Sequence, residues 1–264
     1  MPTELISHGA LKHEDEHRQD ICVAGRWLHE AGFVAATDGN ISLRLDAGRL
    51  LTSPSGISKG AMRPEDLVVT DFSGNKLSGT GKPSSELAMH LLIYRLRPDI
   101  NAVCHAHPVT ATGYAAAGMA LDKALVSEAI IAVGTVPLAQ YGTPGTSELA
   151  DSIKPFVRSH DAVLLANHGV VTYGTDLLTA YYRMETVEHF ARIALVTELL
   201  NKQKLLSQTD VRKLLGARAR YGIETPADCA PITSDSPEAE RGPLGRHKIA
   251  SLVQQAIRSD RFRH

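Results

Sequence analysis

The chain of 264 residues carries 28 basic and 29 acidic residues, a formal net charge of −1, and 43% hydrophobic residues. This length and composition fit one or two globular domains whose core is large enough to need no disulfide bonds. The balanced charge gives no reason to expect nucleic acid or an anionic membrane as a partner, because both usually select for a basic sequence.

Cysteine usage and the apolar runs indicate the compartment. The three cysteines, Cys22, Cys104 and Cys229, are widely spaced and form no CxxC pair. They therefore predict neither a disulfide framework nor a cysteine-rich zinc site, and they fit a reducing compartment. Residues 1–16 hold no apolar core of the kind that signal peptides have. No segment approaches the roughly 20 apolar residues of a membrane span. We therefore expect a cytoplasmic protein with no membrane partner.

Hydrophobic periodicity predicts strands and helices that alternate along the chain. Apolar residues at three- and four-residue steps predict helices at 14–31, 86–96, 108–117, 147–158, 177–200 and 210–221. Alternating or short continuous apolar runs predict strands at 41–45, 50–52, 67–70, 101–106, 136–141, 162–166 and 170–173. Interleaving of this kind predicts an α/β layered fold around one sheet.

The composition changes after Tyr221. Residues 225–245 contain four prolines with several serines and aspartates, which predicts an extended linker. Residues 248–258 then place four apolar side chains on one helical face, which predicts a helix that docks on the body or on a neighbouring subunit. We therefore divide the chain into a catalytic domain at 1–222 and a proline-rich linker with a helical tail at 223–264.

Three histidines have the spacing of metal ligands. His105 and His107 lie two apart at the end of a predicted strand, where side chains two apart point the same way. His168 follows between two further strands, beside Gly169, which permits tight backbone geometry. Three protein ligands with one open position are typical of catalytic zinc. An HxH pair alone is a weak signal, and the other nine histidines have no such spacing.

Three polar loops containing glycine have the composition of an anion site. They are residues 37–40 (TDGN), 53–56 (SPSG) and 81–86 (GKPSSE), and the third leads into a predicted helix. Free backbone N–H groups in such loops and at helix starts bind phosphate. Each loop also has the composition of an ordinary turn or helix cap. Glu86 could complement the helix dipole or act beside a metal as ligand or general base, and the residues alone do not decide between these roles.

Five motifs, in this order and spacing, resemble the class II aldolase/adducin family, and most closely its L-fuculose-1-phosphate aldolase branch. They are GN at 39–40, SPSG at 53–56, GKPSSE at 81–86, HxH at 105–107 and NHG at 167–169. The resemblance extends from about residue 19 to residue 221. Five motifs in order make a specific signal, although each one alone is weak.

The resemblance implies a single three-layer α/β/α domain around a central, largely antiparallel sheet. It implies one zinc ion per subunit, or another divalent metal, bound by His105, His107 and His168. Glu86 would be both a ligand in the resting state and the acid/base that moves the substrate proton. A homotetramer with fourfold symmetry and the site at a subunit interface is also implied. The substrate phosphate would be bound by Gly39, Asn40, Ser55, Gly56, Ser84 and Ser85.

The implied reaction is retro-aldol cleavage of a ketose 1-phosphate, similar to L-fuculose 1-phosphate, to dihydroxyacetone phosphate and an aldehyde. The fuculose enzymes also use a tyrosine from a neighbouring subunit at the aldehyde end. The matching segment, residues 126–130, contains no tyrosine. Glu128 is the nearest acid there, and Tyr114 and Tyr141 are weaker candidates.

Other activities occur in the same superfamily. They are decarboxylation of a phosphorylated 3-oxo acid, 4-epimerisation of a pentulose phosphate, and dehydration, and an intact set of metal ligands fits each of them. A non-catalytic, adducin-like module is a further alternative. Such a module would be expected to lose metal ligands, whereas His105, His107, His168 and Glu86 are all present here.

Overall fold

A single sheet lies at the centre of the computed structural model of this protein, which describes residues 12–221 and 233–234. The sheet has eight strands in the order β4-β3-β2-β1-β5-β8-β7-β6. All neighbouring strands are antiparallel except β6 and β7. The strands are β1 (Asn40–Arg44), β2 (Leu50–Thr52), β3 (Val68–Thr70), β4 (Lys76–Ser78), β5 (Ala102–Ala106), β6 (Leu138–Ala139), β7 (Ala162–Leu165) and β8 (Gly169–Gly174).

Helices cover both faces of this sheet. Those of the described chain are α1 (Glu14–Glu30), α2 (Leu87–Leu96), α3 (Val109–Ala116), α4 (Ser127–Ala132), α5 (Ser147–Ile153), α6 (Leu177–Leu199) and α7 (Gln208–Ala217). One hydrophobic cluster joins the first face to α1, α3, α4 and α6. A second cluster joins the opposite face to α2 and α5. A small third cluster packs α7 against α4. The arrangement is three layers, helices on sheet on helices.

Strand alternation decides which side chains reach which layer. On β5, Ala102, Cys104 and Ala106 belong to the cluster with α1 and α6, and Val103 belongs to the cluster with α2. His105 is two residues after Val103 and therefore points to the α2 face. Asn40 pairs directly with His105 across the β1–β5 ladder. The register thus brings the end of β5, the start of β1 and the N-terminus of α2 together.

The predicted α/β/α fold around a largely antiparallel sheet is confirmed, and the sequence predicted most elements to within one or two residues. The helix predicted at 147–158 ends at Ile153 because Pro155 follows. Proline lacks an N–H and disfavours helical geometry in the residue before it. The strand predicted at 136–141 shortens to β6, where Pro137 cannot donate to the ladder.

Two elements were not predicted. β4 is an edge strand whose three residues are all exposed, so it has no apolar alternation. α4 has six residues, which is too short to establish a helical period.

The predicted linker and tail helix lie outside the described residues, apart from Thr233 and Ser234. Thr233 is buried, and the Ser234 N–H donates to the Leu206 carbonyl at 3.0 Å. The chain therefore returns to the body of the domain at this point. Within the described segments, none of the helices combines the length and the hydrophobicity required to traverse a lipid bilayer.

Candidate metal centre

Three imidazoles converge at one end of the central strands. His105 is the penultimate residue of β5 and is completely buried. His107 follows directly after that strand, and His168 lies in the turn from β7 to β8. One nitrogen from each ring lies within 4.8 Å of the other two. The ring centroids are 4.8–4.9 Å apart, and the rings are inclined to each other at 62–66°. The strand periodicity that predicted the HxH pair therefore brings both rings to one point.

Hydrogen bonds on the outer nitrogens fix the orientation of two of these rings. His105 Nδ1 lies 2.8 Å from the Val170 carbonyl oxygen, and a carbonyl can only accept, so this nitrogen carries the proton. His107 Nδ1 lies 3.3 Å from a carboxylate oxygen of Asp38, which assigns its proton in the same way. In the neutral form of each ring, Nε2 is then the nitrogen with a lone pair for a metal. His168 Nδ1 is buried and has no hydrogen-bond partner among the described residues.

A carboxylate completes the cluster. Glu86 is the N-cap residue of α2, and its Oε2 and Oε1 lie 3.2 Å from His105 Nε2 and His168 Nε2. Its carboxylate also accepts a 2.7 Å hydrogen bond from Asn40 Nδ2. The Glu86 N–H donates to Ser84 Oγ at 3.2 Å, which holds the start of α2 against the third polar loop. A buried carboxylate held in this way lies within hydrogen-bonding distance of two of the three rings.

The environment favours the protonation states that bind a metal. Burial, reinforced by His105, lowers the pKa of His168 to about 4, although Glu86 opposes this shift. Burial and His105 also lower the pKa of His107, against the attraction of Asp38. Burial raises the pKa of Glu86, but its contacts with His105, His168 and Asn40 outweigh burial and bring the pKa well below its ordinary range. At neutral pH His107 and His168 are therefore neutral imidazoles and Glu86 is an ionised carboxylate, the forms that metals require.

The donor spacing fits a divalent ion. Two nitrogens bound to one tetrahedral zinc at about 2.0–2.1 Å lie about 3.3 Å apart. His105 Nε2 and His107 Nε2 are 3.1 Å apart, with their lone pairs directed at the same space. Two such acceptors repel unless a proton or a cation lies between them. The three histidines and Glu86 therefore fit one metal ion.

Close backbone approaches explain two of the motif glycines. A Cβ on Gly169 would lie 2.5 Å from His107 Cδ2 and 2.6 Å from the Ala106 carbonyl oxygen. Gly169 is therefore needed for space, and the left-handed backbone of this turn falls on Asn167, with φ 56°. Gly39 has φ 72°, and a Cβ there would lie 2.7 Å from the His105 carbonyl oxygen. Both glycines let their strands approach the metal ligands.

The three polar loops are neighbours of this centre. An isolated bridge between Pro54 and Pro83 joins the second loop to the third. The Ser55 N–H donates to the Lys82 carbonyl at 2.9 Å, so it is not free for an anion. Ser55, Gly56 and Ser85 are exposed, and Gly56 has φ 76° with open space around its Cα.

The other predicted phosphate residues are more enclosed. Asn40 is buried with its amide nitrogen bonded to Glu86, and its Oδ1 has no partner. Ser84 and Gly39 are half-buried.

A buried polar network supports the centre from behind. His90, one helical turn after Glu86 on α2, places Nδ1 2.6 Å from Ser42 Oγ, and Ser42 Oγ lies 2.9 Å from the Tyr94 hydroxyl. Among the described residues, His90 Nε2 is buried without a partner. Burial lowers the pKa of His90 to about 3, so the ring is neutral. His90 therefore belongs to the buried network beneath the histidine cluster.

The candidates for the aldehyde-side acid are spread over different surfaces. Glu128 is exposed on α4 and lines a cavity of about 200 Å³ with Glu185 and His189. Tyr114 is buried on α3, where it lines a second cavity of about 200 Å³. Tyr141 is exposed in the loop after β6. None of these three side chains contacts the histidine cluster within the described chain.

Two residues near this site have no signal in the sequence. Asp38 was noted only as part of a loop, and it is the partner of His107. Lys59 follows the second loop and is 1% exposed. A lysine directly after a polar loop carries no signal of burial, so only the folded structure identifies it.

Comparisons with known proteins agree with this geometry. The sequence profile of the Class II Aldolase and Adducin N-terminal domain matches residues 19–195. A 5-deoxy-D-ribulose 1-phosphate aldolase from Bacillus thuringiensis serovar kurstaki is 36% identical over 209 residues, covering 78% of this chain and 97% of the relative.

Two further relatives carry different names. A 3-oxo-tetronate 4-phosphate decarboxylase from Haemophilus influenzae is 35% identical over 198 residues, covering 72% of this chain and 91% of the relative. A solved structure of an L-fuculose 1-phosphate aldolase has a TM-score of 0.73 and 31% identity, covering 81% of this chain and 100% of that chain. Aldolases and a decarboxylase thus share this sequence pattern and fold.

Proposed function

This chain belongs to the class II aldolase and adducin family, and we propose that it is a zinc-dependent aldolase of a ketose 1-phosphate. The proposed substrate is similar to L-fuculose 1-phosphate, and the products are dihydroxyacetone phosphate and an aldehyde. The observation that carries the proposal is the convergence of three imidazole nitrogens, with the Glu86 carboxylate 3.2 Å from two of them. Beside that point lie loops whose composition suits a phosphate.

Each residue of the cluster has a proposed role. His105, His107 and His168 hold one zinc ion per subunit, and Glu86 is a further ligand in the resting state. A divalent cation bound there supplies Lewis-acid polarisation of the substrate carbonyl. Glu86 moves the proton at the carbon that becomes the hydroxymethyl group of dihydroxyacetone phosphate. Its hydrogen bond from Asn40 keeps the carboxylate beside the ligands before it acts.

The phosphate has a proposed site in the three polar loops. Backbone and hydroxyl groups there would position the substrate and so reduce the entropic part of the barrier. The proposed residues are Gly39, Asn40, Ser55, Gly56, Ser84 and Ser85. We also propose a homotetramer with the site at a subunit interface, where a neighbouring copy would supply the aldehyde-side acid.

Decarboxylation of a phosphorylated 3-oxo acid is the second candidate. The decarboxylase from Haemophilus influenzae covers nearly as much of this chain as the aldolase relative does. Residues 126–130 contain no tyrosine at the position of the fuculose enzymes' aldehyde-side acid. Both proposed reactions would use the same metal ligands and the same phosphate-binding loops. Activity measured on each substrate therefore distinguishes them.

Release of dihydroxyacetone phosphate from a panel of ketose 1-phosphates tests the proposal. Release from each compound is measured with and without a chelator. Release from 3-oxo-tetronate 4-phosphate is measured in a separate assay. Chelator-sensitive release with formation of an aldehyde supports the aldolase and ranks its aldehydes. Release only from the 3-oxo acid, with carbon dioxide as co-product, would replace the aldolase by the decarboxylase.

A further inference from the structure

Lys59 is a buried cation without a matching buried anion. It begins a 3-10 turn (Lys59–Ala61) directly after the second polar loop, and 1% of the residue is exposed. Within residues 12–221 and 233–234, no carboxylate lies at ion-pair distance from its ammonium, and Asp38 attracts it only at longer range. Burying an unpaired charge is costly, so such a residue needs a specific role.

Its ammonium joins two of the three polar loops. Lys59 Nζ donates to the Thr37 carbonyl at 3.0 Å and to the Ile57 carbonyl at 2.6 Å. Thr37 precedes Asp38 and Gly39 in the first loop, and Ile57 follows Ser55 and Gly56 in the second. Thr37 and Ile57 both lie outside the named strands, so their carbonyl oxygens are acceptors that the Lys59 ammonium can bridge.

The surroundings of Lys59 leave little freedom for its backbone. A Cβ on Gly25 of α1 would lie 2.6 Å from the Lys59 carbonyl oxygen, so α1 packs directly on this turn. Contact with α1 therefore fixes the backbone of Lys59, and its ammonium extends to the Thr37 and Ile57 carbonyls. Burial lowers the pKa of Lys59 to about 8, and Asp38 opposes that shift, so the group remains largely charged at neutral pH.

We propose that Lys59 is a positioning residue for anion binding, which holds the first polar loop and the end of the second at the separation at which they bind one phosphate. This inference rests on the proposed function, which supplies the phosphorylated substrate. It adds that a buried side chain sets the distance between the loops that bind the phosphate. The positive charge also places an attractive field behind the loops, which suits an anionic ligand. Lys59 acts through the two carbonyls that it holds.

The test is binding of inorganic phosphate together with steady-state kinetics on Lys59→Met. The variant removes the charge and both hydrogen bonds while keeping an apolar stem. We expect phosphate affinity to fall about 10- to 100-fold and KM for the ketose 1-phosphate to rise similarly, because charge-assisted contacts in the loops are lost. The fall in kcat/KM should be several-fold larger for the ketose 1-phosphate than for the unphosphorylated ketose, and the variant should still bind the metal.

Lys12→Met is the matched control. Lys12 is also largely buried, but its ammonium is paired with Asp20 on α1. Its loss should leave phosphate affinity unchanged. If Lys59→Met does not fold, the shorter, neutral Lys59→Gln is measured in the same way.

Three results would overturn the role of Lys59. These are unchanged phosphate affinity, an equal loss of activity on phosphorylated and unphosphorylated ketose, and loss of the metal. The phosphate titration needs no turnover, so it tests the role of Lys59 even if the wild type cleaves no ketose 1-phosphate. A wild type that binds phosphate but cleaves no ketose 1-phosphate would count against the proposed function alone.

Discussion

The metal centre depends, at the scale of single residues, on which nitrogen of each imidazole carries a proton. Val170 and Asp38 accept from the Nδ1–H groups of His105 and His107, which leaves the Nε2 lone pairs of the neutral rings available to a metal. The Val170 acceptor is part of the β8 backbone and cannot be lost by substitution. Asp38 lies on an exposed loop with 46% of its side chain accessible, so it is the vulnerable partner.

Replacing Asp38 with alanine should weaken metal binding. The His107 ring would lose its orienting acceptor, and such outer partners typically contribute about 10- to 100-fold in metal affinity. The affinity can be measured by titration against a competing chelator. Asp151→Ala, at an exposed aspartate of α5, is the control. Equal affinity in Asp38→Ala and the wild type would show that Asp38 does not orient the ligand.

The sequence could predict that these histidines lie together, but not which groups their rings contact. His105 and His107 follow from the two-residue period of a strand. Their contacts with Val170 and Asp38 join positions 65 and 69 residues apart, and a single sequence contains no signal for such pairs. Lys59 was missed for the same reason, because its two carbonyl partners belong to different loops.

At the scale of elements, the helix that follows His107 is held by a buried carboxylate. Glu188 of α6 accepts hydrogen bonds from the N–H groups of Thr110 and Ala111, at 3.0 and 2.9 Å, in the first turn of α3. These N–H groups have no partner within their own helix, and the positive end of the helix dipole favours the carboxylate. Arg192 supplies a counter-charge at 2.8 Å.

Substitution of Glu188 by glutamine should destabilise the fold. A neutral amide leaves buried N–H groups incompletely satisfied, which costs about 1–3 kcal/mol in the free energy of unfolding. Chemical denaturation of both proteins measures this difference. Glu185→Gln, at an exposed position on the same helix, should change stability by less than about 0.5 kcal/mol. The same small change in Glu188→Gln would contradict the capping role.

The elements predicted well are those with a buried face. α6 and β8 have apolar residues at the helical or strand period, and both ends were predicted to within one residue. β4 has no buried face, and its pairing with β3 depends on the sheet edge that β3 offers. Its position could not be read from a local pattern.

At the scale of the whole molecule, the two ends of the central strands carry different charged clusters. The candidate metal centre lies at the end where β5 finishes and β8 begins. At the opposite end of these strands, just before β7, Asp161 is buried among Arg97, Arg183 and Arg218. The distances from its carboxylate to these guanidinium groups are 3.2, 2.8 and 3.6 Å. Burial lowers the pKa of Arg183 and of Arg218, and Asp161 opposes both shifts.

Replacing Asp161 with asparagine should be strongly destabilising. Three buried guanidinium groups would lose their shared counter-charge, and removing one partner of a buried pair costs about 3–5 kcal/mol. The free energy of unfolding and metal content are measured together. Asp99→Asn is the control, since the Asp99 side chain is 43% exposed and its pair with Arg97 should contribute about 1 kcal/mol or less. Similar losses in the two variants would contradict a dominant role for Asp161.

In the proposed reaction, Glu86, held beside the three histidines, moves a proton on a small ketose phosphate. The most direct measurement is proton NMR of dihydroxyacetone phosphate in deuterium oxide, which needs no aldehyde and no aldehyde-side acid. We predict that the metal-loaded protein exchanges a proton of the hydroxymethyl group. A chelator should stop the exchange and added zinc should restore it. Glu86→Gln with matched metal content should slow it about 100- to 10,000-fold. Exchange that persists in Glu86→Gln or without metal, or no exchange by the metal-loaded wild type, would contradict the claim.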